Sequence, residues 1–293
     1  MSNMTSVLGM GLFYFTQTRL SSGIIWLVKK ALIVGFCAKD IIQNKSFFGG
    51  AAGGICLNLS KLNVNTGILS VLGNDLFSKK YLKEFKKNNI DTSLLYFSKN
   101  PIPQMKVIDD NGKELGRYYN DFGNIKFLAQ IKPQKGLISN FDFMHVVNTP
   151  KNLCDFLADN LKGEISYSPG GLFVRDKSSL SINLLSRTNF LFLNEEEFNL
   201  LKKKIDVLKL FINNLKMVCL TLGSRGVRII TKDKSAIIKT KKAKVIDTTG
   251  AGDAIVVGFI KEYFKGSDYE SGIKEGMRLA SVVVGKLGGQ IVL

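Results

Sequence analysis

The run Asp247-Thr248-Thr249-Gly250-Ala251-Gly252-Asp253-Ala254 contains the residues of this sequence best suited to chemistry. Its pattern places it after a short strand, residues 243–246, and at the opening of a helix over 252–264. Gly250 and Gly252 permit a tight turn and a close approach of the backbone to a ligand. The N–H groups of a helix's first turn, together with the helix dipole, make an anion site. A carboxylate held there, as Asp253 would be, is stabilised in its ionised form. Such a carboxylate can take the proton of an attacking hydroxyl while neighbouring amides hold a phosphoryl group in transfer. Phosphoryl transfer asks mainly for positioning and charge stabilisation, so these few parts suffice. The bland alternative is a glycine-rich loop with a capping Asp, and a GxG segment alone would not exceed it.

Other chemistries lack material. The sole histidine, His145, lies in the apolar run 143–147 and reads as a satisfied core side chain, which leaves no Ser-His-Asp arrangement and no multi-histidine metal site. Cys37, Cys56, Cys154 and Cys219 form no CxxC pair and have apolar neighbours, so they read as buried thiols of a cytoplasmic protein. There is no GxxxxGK[ST] loop and no protein-kinase motif set. The first strand leads into Gly35-Phe36-Cys37-Ala38, not a GxGxxG turn. The formal charge of +17 raises nucleic-acid binding. However, the lysines are spread along the chain without a basic stripe or interleaved aromatics, so no specific nucleic-acid partner is expected. A field of this sign would also attract an anionic substrate such as a nucleotide.

The elements that must position the octapeptide alternate along the chain. Strands are expected at 31–36, 67–72, 143–147, 164–167, 190–193 and 217–221. Helices are expected at 55–62, 76–88, 153–161, 180–185, 195–203, 205–214, 252–264 and 269–286. Two hairpins are expected, one over 104–109 and 115–120 around Asn111-Gly112, the other over 226–231 and 235–240. The alternation predicts a doubly wound α/β fold whose mostly parallel sheet is flanked by helices, with the site at the carboxyl ends of its strands.

The octapeptide and the order of these elements over roughly residues 31–290 resemble the ribokinase-like (PfkB-type) carbohydrate and nucleoside kinases. The resemblance implies a phosphotransferase that moves the γ-phosphoryl group of Mg-ATP to an alcohol of a sugar or nucleoside. Asp253 would be the base, and Gly250, Ala251 and Gly252 the anion hole. Gly49 and Gly50 match the di-glycine at the acceptor's hydroxyls, and Asp40 the carboxylate that accepts hydrogen bonds from it. Thr221, Gly223 and Gly226, with Thr248 and Thr249, would border the nucleotide. Asn194 and Glu197 match an Asn-x-x-Glu element that acts on Mg²⁺ indirectly, through water or phosphate; the bland alternative is a helix N-cap with acidic residues in its first turn, and both can hold together. The cofactors implied are ATP and Mg²⁺, with room for a monovalent cation. No membrane partner is implied, and monomer and homodimer both stand. The alternative is a catalytically inactive kinase-like binding or regulatory module, against which the intact Asp253 and Gly250–Gly252 argue.

The sequence departs from the family's pattern in several places. Only eight residues separate Asp40 from Gly49, which predicts a small, shortened β lid near 38–48 and 103–124. Gly53-Gly54-Ile55 stands where an Asn is usual, Ser168-Pro169-Gly170 replaces Asp-Pro-Gly, and Ile255 replaces a Phe. Aromatic residues in the expected lid, Phe47, Phe48, Tyr118, Tyr119 and Phe122, favour a nucleoside or a sugar of similar size; Lys113 and Arg117 would suit a sugar phosphate. Residues 1–26 read differently from the kinase domain expected over 27–293. They are too broken by polar residues to span a bilayer and lack the leading charge of a signal peptide. They are expected to be a non-native or disordered N-terminal extension, with Leu27, as a TTG codon, the true start.

Overall fold

A computed structural model describes residues 15–20, 23–110, 113–119, 123–241 and 243–291. The strands are β1 Phe15–Leu20, β2 Gly23–Val28, β3 Lys30–Val34, β4 Ala38–Ile42, β5 Lys45–Gly49, β6 Asn65–Leu72, β7 Asp91–Phe97, β8 Gln104–Asp110, β9 Lys113–Tyr119, β10 Phe143–Val147, β11 Glu164–Ser168, β12 Phe190–Asn194, β13 Met217–Thr221, β14 Val227–Ile230 and β15 Ser235–Ile238. The helices are α1 Ala51–Lys61, α2 Leu76–Lys87, α3 Gly123–Leu128, α4 Lys135–Ile138, α5 Lys151–Asn160, α6 Gly171–Arg175, α7 Ile182–Arg187, α8 Glu195–Lys202, α9 Ala251–Phe264 and α10 Tyr269–Val283.

Nine strands form the central sheet in the order β15-β14-β13-β12-β11-β10-β3-β6-β7. The seven from β13 to β7 are parallel, and β14 and β15 add an antiparallel edge. Strands buried on both faces need continuous apolar runs, and β10 (Phe-Met-His-Val-Val) and β13 (Met-Val-Cys-Leu-Thr) supply them. Alternate residues feed opposite cores. Phe143 and Val147 pack with Phe259, Ile260 and Leu279 under α1, α9 and α10. Met144 and Val146 pack with Leu153, Leu157 and Leu184 under α5 and α7. Among the described residues, no helix is long and apolar enough to cross a membrane.

The chain winds outward from β3 in both directions, first to β6 and β7, later to β10 and the strands beyond it. The gap between β3 and β10 is therefore the topological switch point, where loops from adjacent strands diverge and leave a crevice. Over it lies a second, four-stranded sheet, β5-β4-β8-β9, in the place expected for the lid. Strands β4 and β5 pair antiparallel across a two-residue turn, Gln43-Asn44, both with positive φ. That turn geometry matches the strand twist and explains why the arm is so short.

Some expectations fail. Residues 243–246 form no strand: the Ile246 and Asp247 amides both donate to Val284 O at the end of α10, so the segment is tied to a helix end and not to a ladder. Residues 205–214 make only a short 3₁₀ turn over Val207–Ile212. Strand β7 was not anticipated; its exposed edge buries one residue fully, Leu94, and so carries no clear alternation. Asn111, Gly112 and Phe122 lie outside the described residues, as do the side chains of Lys113, Arg117, Tyr118 and Tyr119.

Candidate active site

Asp40, Gly49, Gly50, Thr249, Gly250, Gly252 and Asp253 line one cleft of about 170 Å³. Phe36, two residues past β3, and Asn148, just past β10, line it too, which places it at the switch point. A larger cavity of about 620 Å³ lies beside Phe198, Lys202 and the start of β13. No candidate residue lines that cavity.

One wall comes from the lid hairpin and the start of α1. Asp40 sits within β4, buried, opposite Phe47, so it is not a turn cap. Gly49 passes so close to it that a Cβ would stand 2.0 Å from the Asp40 carboxyl carbon. Gly50 has φ +75°, and a Cβ there would meet Phe36 O at 2.5 Å and Ala38 N at 2.7 Å; only glycine satisfies both the angle and the space. Tyr81, fully buried on α2, donates its hydroxyl to Gly49 O at 2.7 Å. The departure at Gly53 now has a reason, because a Cβ there would lie 2.2 Å from that hydroxyl. Gly54, also lining the cleft, has open space beyond it.

The facing wall is the octapeptide. Gly250 is the N-cap of α9 with φ +77°, and Asp253 lies in the first helical turn. The Asp247 carboxylate clamps this loop: Oδ1 accepts from Thr249 N and Oδ2 from Gly288 N, each at 2.8 Å. The Thr249 hydroxyl is buried, and its Oγ1 has no hydrogen-bond partner among the described residues, which suits a polar ligand in the cleft. Gly289, which also lines the cleft, packs against Gly250, where a Cβ on Gly250 would meet Gly289 Cα at 2.6 Å.

The remaining candidates sit around this centre without lining it. Asn194 and Thr221 end adjacent strands, in register. Asn194 and Glu197 form a capping box on α8, Glu197 N donating to Asn194 Oδ1 at 2.8 Å and Asn194 N to Glu197 Oε2 at 2.9 Å. Burial pushes the Glu197 carboxyl above its usual range. Gly223 and Gly226 bracket the turn between β13 and β14, and there the exposed Arg225 pairs with Glu195. Thr248 is exposed and its carbonyl accepts from Ala251 N.

Asn148, Tyr81 and Gly289 were not anticipated. Asn148 has φ +46°, and Gly170 lets it seat, since a Cβ on Gly170 would fall 1.6 Å from Asn148 Oδ1. An Asn just past the carboxyl end of strand 143–147 was a readable signal. Nothing in the sequence ties Tyr81 or Gly289 to the cleft.

The fold places a ligand crevice under a lid at the switch point, and comparison with known proteins gives the class of enzyme. The pfkB family carbohydrate kinase model matches residues 37–293, and the chain belongs to that family. It is 31% identical over 287 residues to a nucleoside kinase of Methanocaldococcus jannaschii, covering 90% of this chain and 93% of that protein. The crystal structure of Methanocaldococcus jannaschii nucleoside kinase, an archaeal member of the ribokinase family, superposes with a TM-score of 0.79 at 28% identity, covering 90% of this chain and 94% of the other. A ribokinase from Thermotoga maritima shares the fold, with a TM-score of 0.78 at 20% identity over 90% of this chain and 95% of the other. The protein is a PfkB-type carbohydrate or nucleoside kinase.

Proposed function

We propose that this kinase transfers the γ-phosphoryl group of Mg-ATP to a hydroxyl of a nucleoside, or of a sugar of similar size, with Asp253 as the base. The observation that carries the reading is that Asp40 and Gly49-Gly50 face Gly250, Gly252 and Asp253 across one cleft at the switch point. The Asp253 carboxylate takes the acceptor's hydroxyl proton. The acceptor oxygen bonds to the γ-phosphorus, the bond from phosphorus to the β–γ bridging oxygen breaks, and its electron pair leaves on ADP. The Gly250–Gly252 amides, at the positive end of α9, hold the charge that develops on the moving group. Asp40 and the Gly49-Gly50 backbone hold the acceptor's other hydroxyls.

No group of three or more His, Cys, Asp or Glu among the described residues is placed to hold a metal ion. Mg²⁺ would therefore take its oxygens mainly from phosphate and water, with Asn194 and Glu197 acting through them. It supplies neutralisation of phosphate charge. Thr221, Gly223, Gly226, Thr248 and Thr249 border the nucleotide in this reading, and replacing K⁺ by a larger organic cation in the assay tests for a monovalent activator. The nucleoside preference rests on the relative at 31% identity and on Phe36 and Phe48 as aromatic surface in the cleft.

The test is ADP release from Mg-ATP against a panel of sugars, sugar phosphates and nucleosides, with Asp253→Asn beside the wild type. A preferred acceptor is expected, and the variant should lose about 10²–10⁴-fold in kcat, the usual contribution of a positioned base. Undiminished turnover by Asp253→Asn would show that another group removes the proton.

A further inference from the structure

We propose that Asn58 is a positioning residue for phosphoryl transfer: through residues 288–291 it holds the Gly250 turn in the shape that receives the phosphoryl group. The inference rests on the reading of Gly250–Gly252 as the anion hole. Asn58 is almost completely buried in the middle of α1, on neither wall of the cleft. Its amide group grips the chain's last described residues with both ends. Ile291 N donates to Asn58 Oδ1 at 2.9 Å, and Asn58 Nδ2 donates to Gly289 O at 3.3 Å. The same segment then touches the octapeptide twice. Gly288 N donates to Asp247 Oδ2, and Gly289 lies against Gly250, with a Cβ on Gly289 falling 3.0 Å from Gly250 Cα and 3.3 Å from Thr249 O.

Gly250 itself makes no side-chain cap, and the Asp247 clamp holds the loop one residue earlier, at Thr249 N. The shape of the turn at Gly250 therefore depends also on what stands behind it, and that is Gly289. Among the described residues, the segment carrying Gly289 has no strand partner. Asn58 therefore acts as the anchor of a brace running from α1 through Gly289 to Gly250. The lid meets the same brace, since Phe47 packs on Gly288, where a Cβ would come within 2.6 Å of its ring.

Asn58→Ala and Gly289→Ala test the brace in the full-length protein. Both should lower kcat about tenfold, with the KM of Mg-ATP and of the acceptor held within about twofold, because transition-state contacts are lost and ground-state binding is not. The double variant should be little worse than either single one, as expected for residues acting in one unit. Cys56→Ala, buried two positions earlier in α1, is the control for mere destabilisation and should keep its kcat. Amide exchange over residues 249–254 should rise about tenfold in Asn58→Ala and not in Cys56→Ala; this readout does not depend on turnover, so the brace is judged even if Asp253 is not the base. If Asn58→Ala does not fold, Gly289→Ala decides by the same measurements. Wild-type kcat in Gly289→Ala, or exchange over 249–254 no faster in Asn58→Ala than in Cys56→Ala, would overturn the proposal.

Discussion

Removing one oxygen from Tyr81 should disturb the acceptor side of the cleft while leaving the nucleotide side intact. Tyr81 is fully buried, and its ring packs on Phe48 and Phe85 at 4.7 and 5.0 Å between centroids, contacts that a phenylalanine keeps. Tyr81→Phe therefore isolates the hydroxyl that donates to Gly49 O. Leaving a buried carbonyl without its donor costs about 1–3 kcal/mol. At about 2–4 °C per kcal/mol for a domain of this size, a loss of about 2 kcal/mol lowers Tm by about 4–8 °C. Gly49 is also the residue pressed against the Asp40 carboxylate, with no room for even a Cβ between them. Freed from its anchor, it should shift, and acceptor KM should rise up to about tenfold, equivalent to about 1.4 kcal/mol. KM for Mg-ATP should not change. Calorimetry and steady-state kinetics measure both effects on one preparation. A lowered Tm with both KM values unchanged would show that Tyr81 supports the core alone. An unchanged Tm would show that Gly49 O does not depend on this donor.

Other outcomes follow from single features. Gly54→Ala meets nothing within 4 Å, so it should stabilise α1 by about 0.5–1 kcal/mol through helix propensity, seen as a higher Tm, while narrowing the cleft and raising acceptor KM. Burial holds the His145 imidazole down to about 3, against 6.5 for an unburied one, so the folded state resists a proton that the unfolded chain accepts. That contribution is complete above about pH 6.5 and is lost as pH falls, by about 2 kcal/mol at pH 5; urea denaturation at pH 7.5 and 5.0 should show it, and His145→Asn should lose correspondingly less.

Much of the molecule was legible because periodicity and turn chemistry are local. The spans 143–147 and 217–221 read as strands and are strands with those bounds, since both faces are buried and the apolar runs are unbroken. The two lid segments were placed from a short spacing and a hairpin pattern, and they pair as one sheet. Where burial is one-sided or missing, the pattern fades. Strand β7 opens with Asp91-Thr92-Ser93 on an exposed edge. Residues 243–246 look like a strand yet leave Val245 and Ile246 exposed, because the Ile246 and Asp247 amides turn to a helix end.

The sequence by itself determined the fold class and placed the octapeptide, with Asp253, at a helix start, because strand and helix periodicities are local; Asp40, Gly49 and Gly50 were named only through the resemblance to a known family. Only the tertiary structure decided what holds them in place. Tyr81 reaches Gly49 across 32 positions, Gly170 makes room for Asn148, and Asn58 meets Ile291 across 233. Such contacts are set by how α1, α2 and the last residues stack around the switch point. A hydrogen bond between elements depends on ångström-level packing, which no local pattern in the chain encodes.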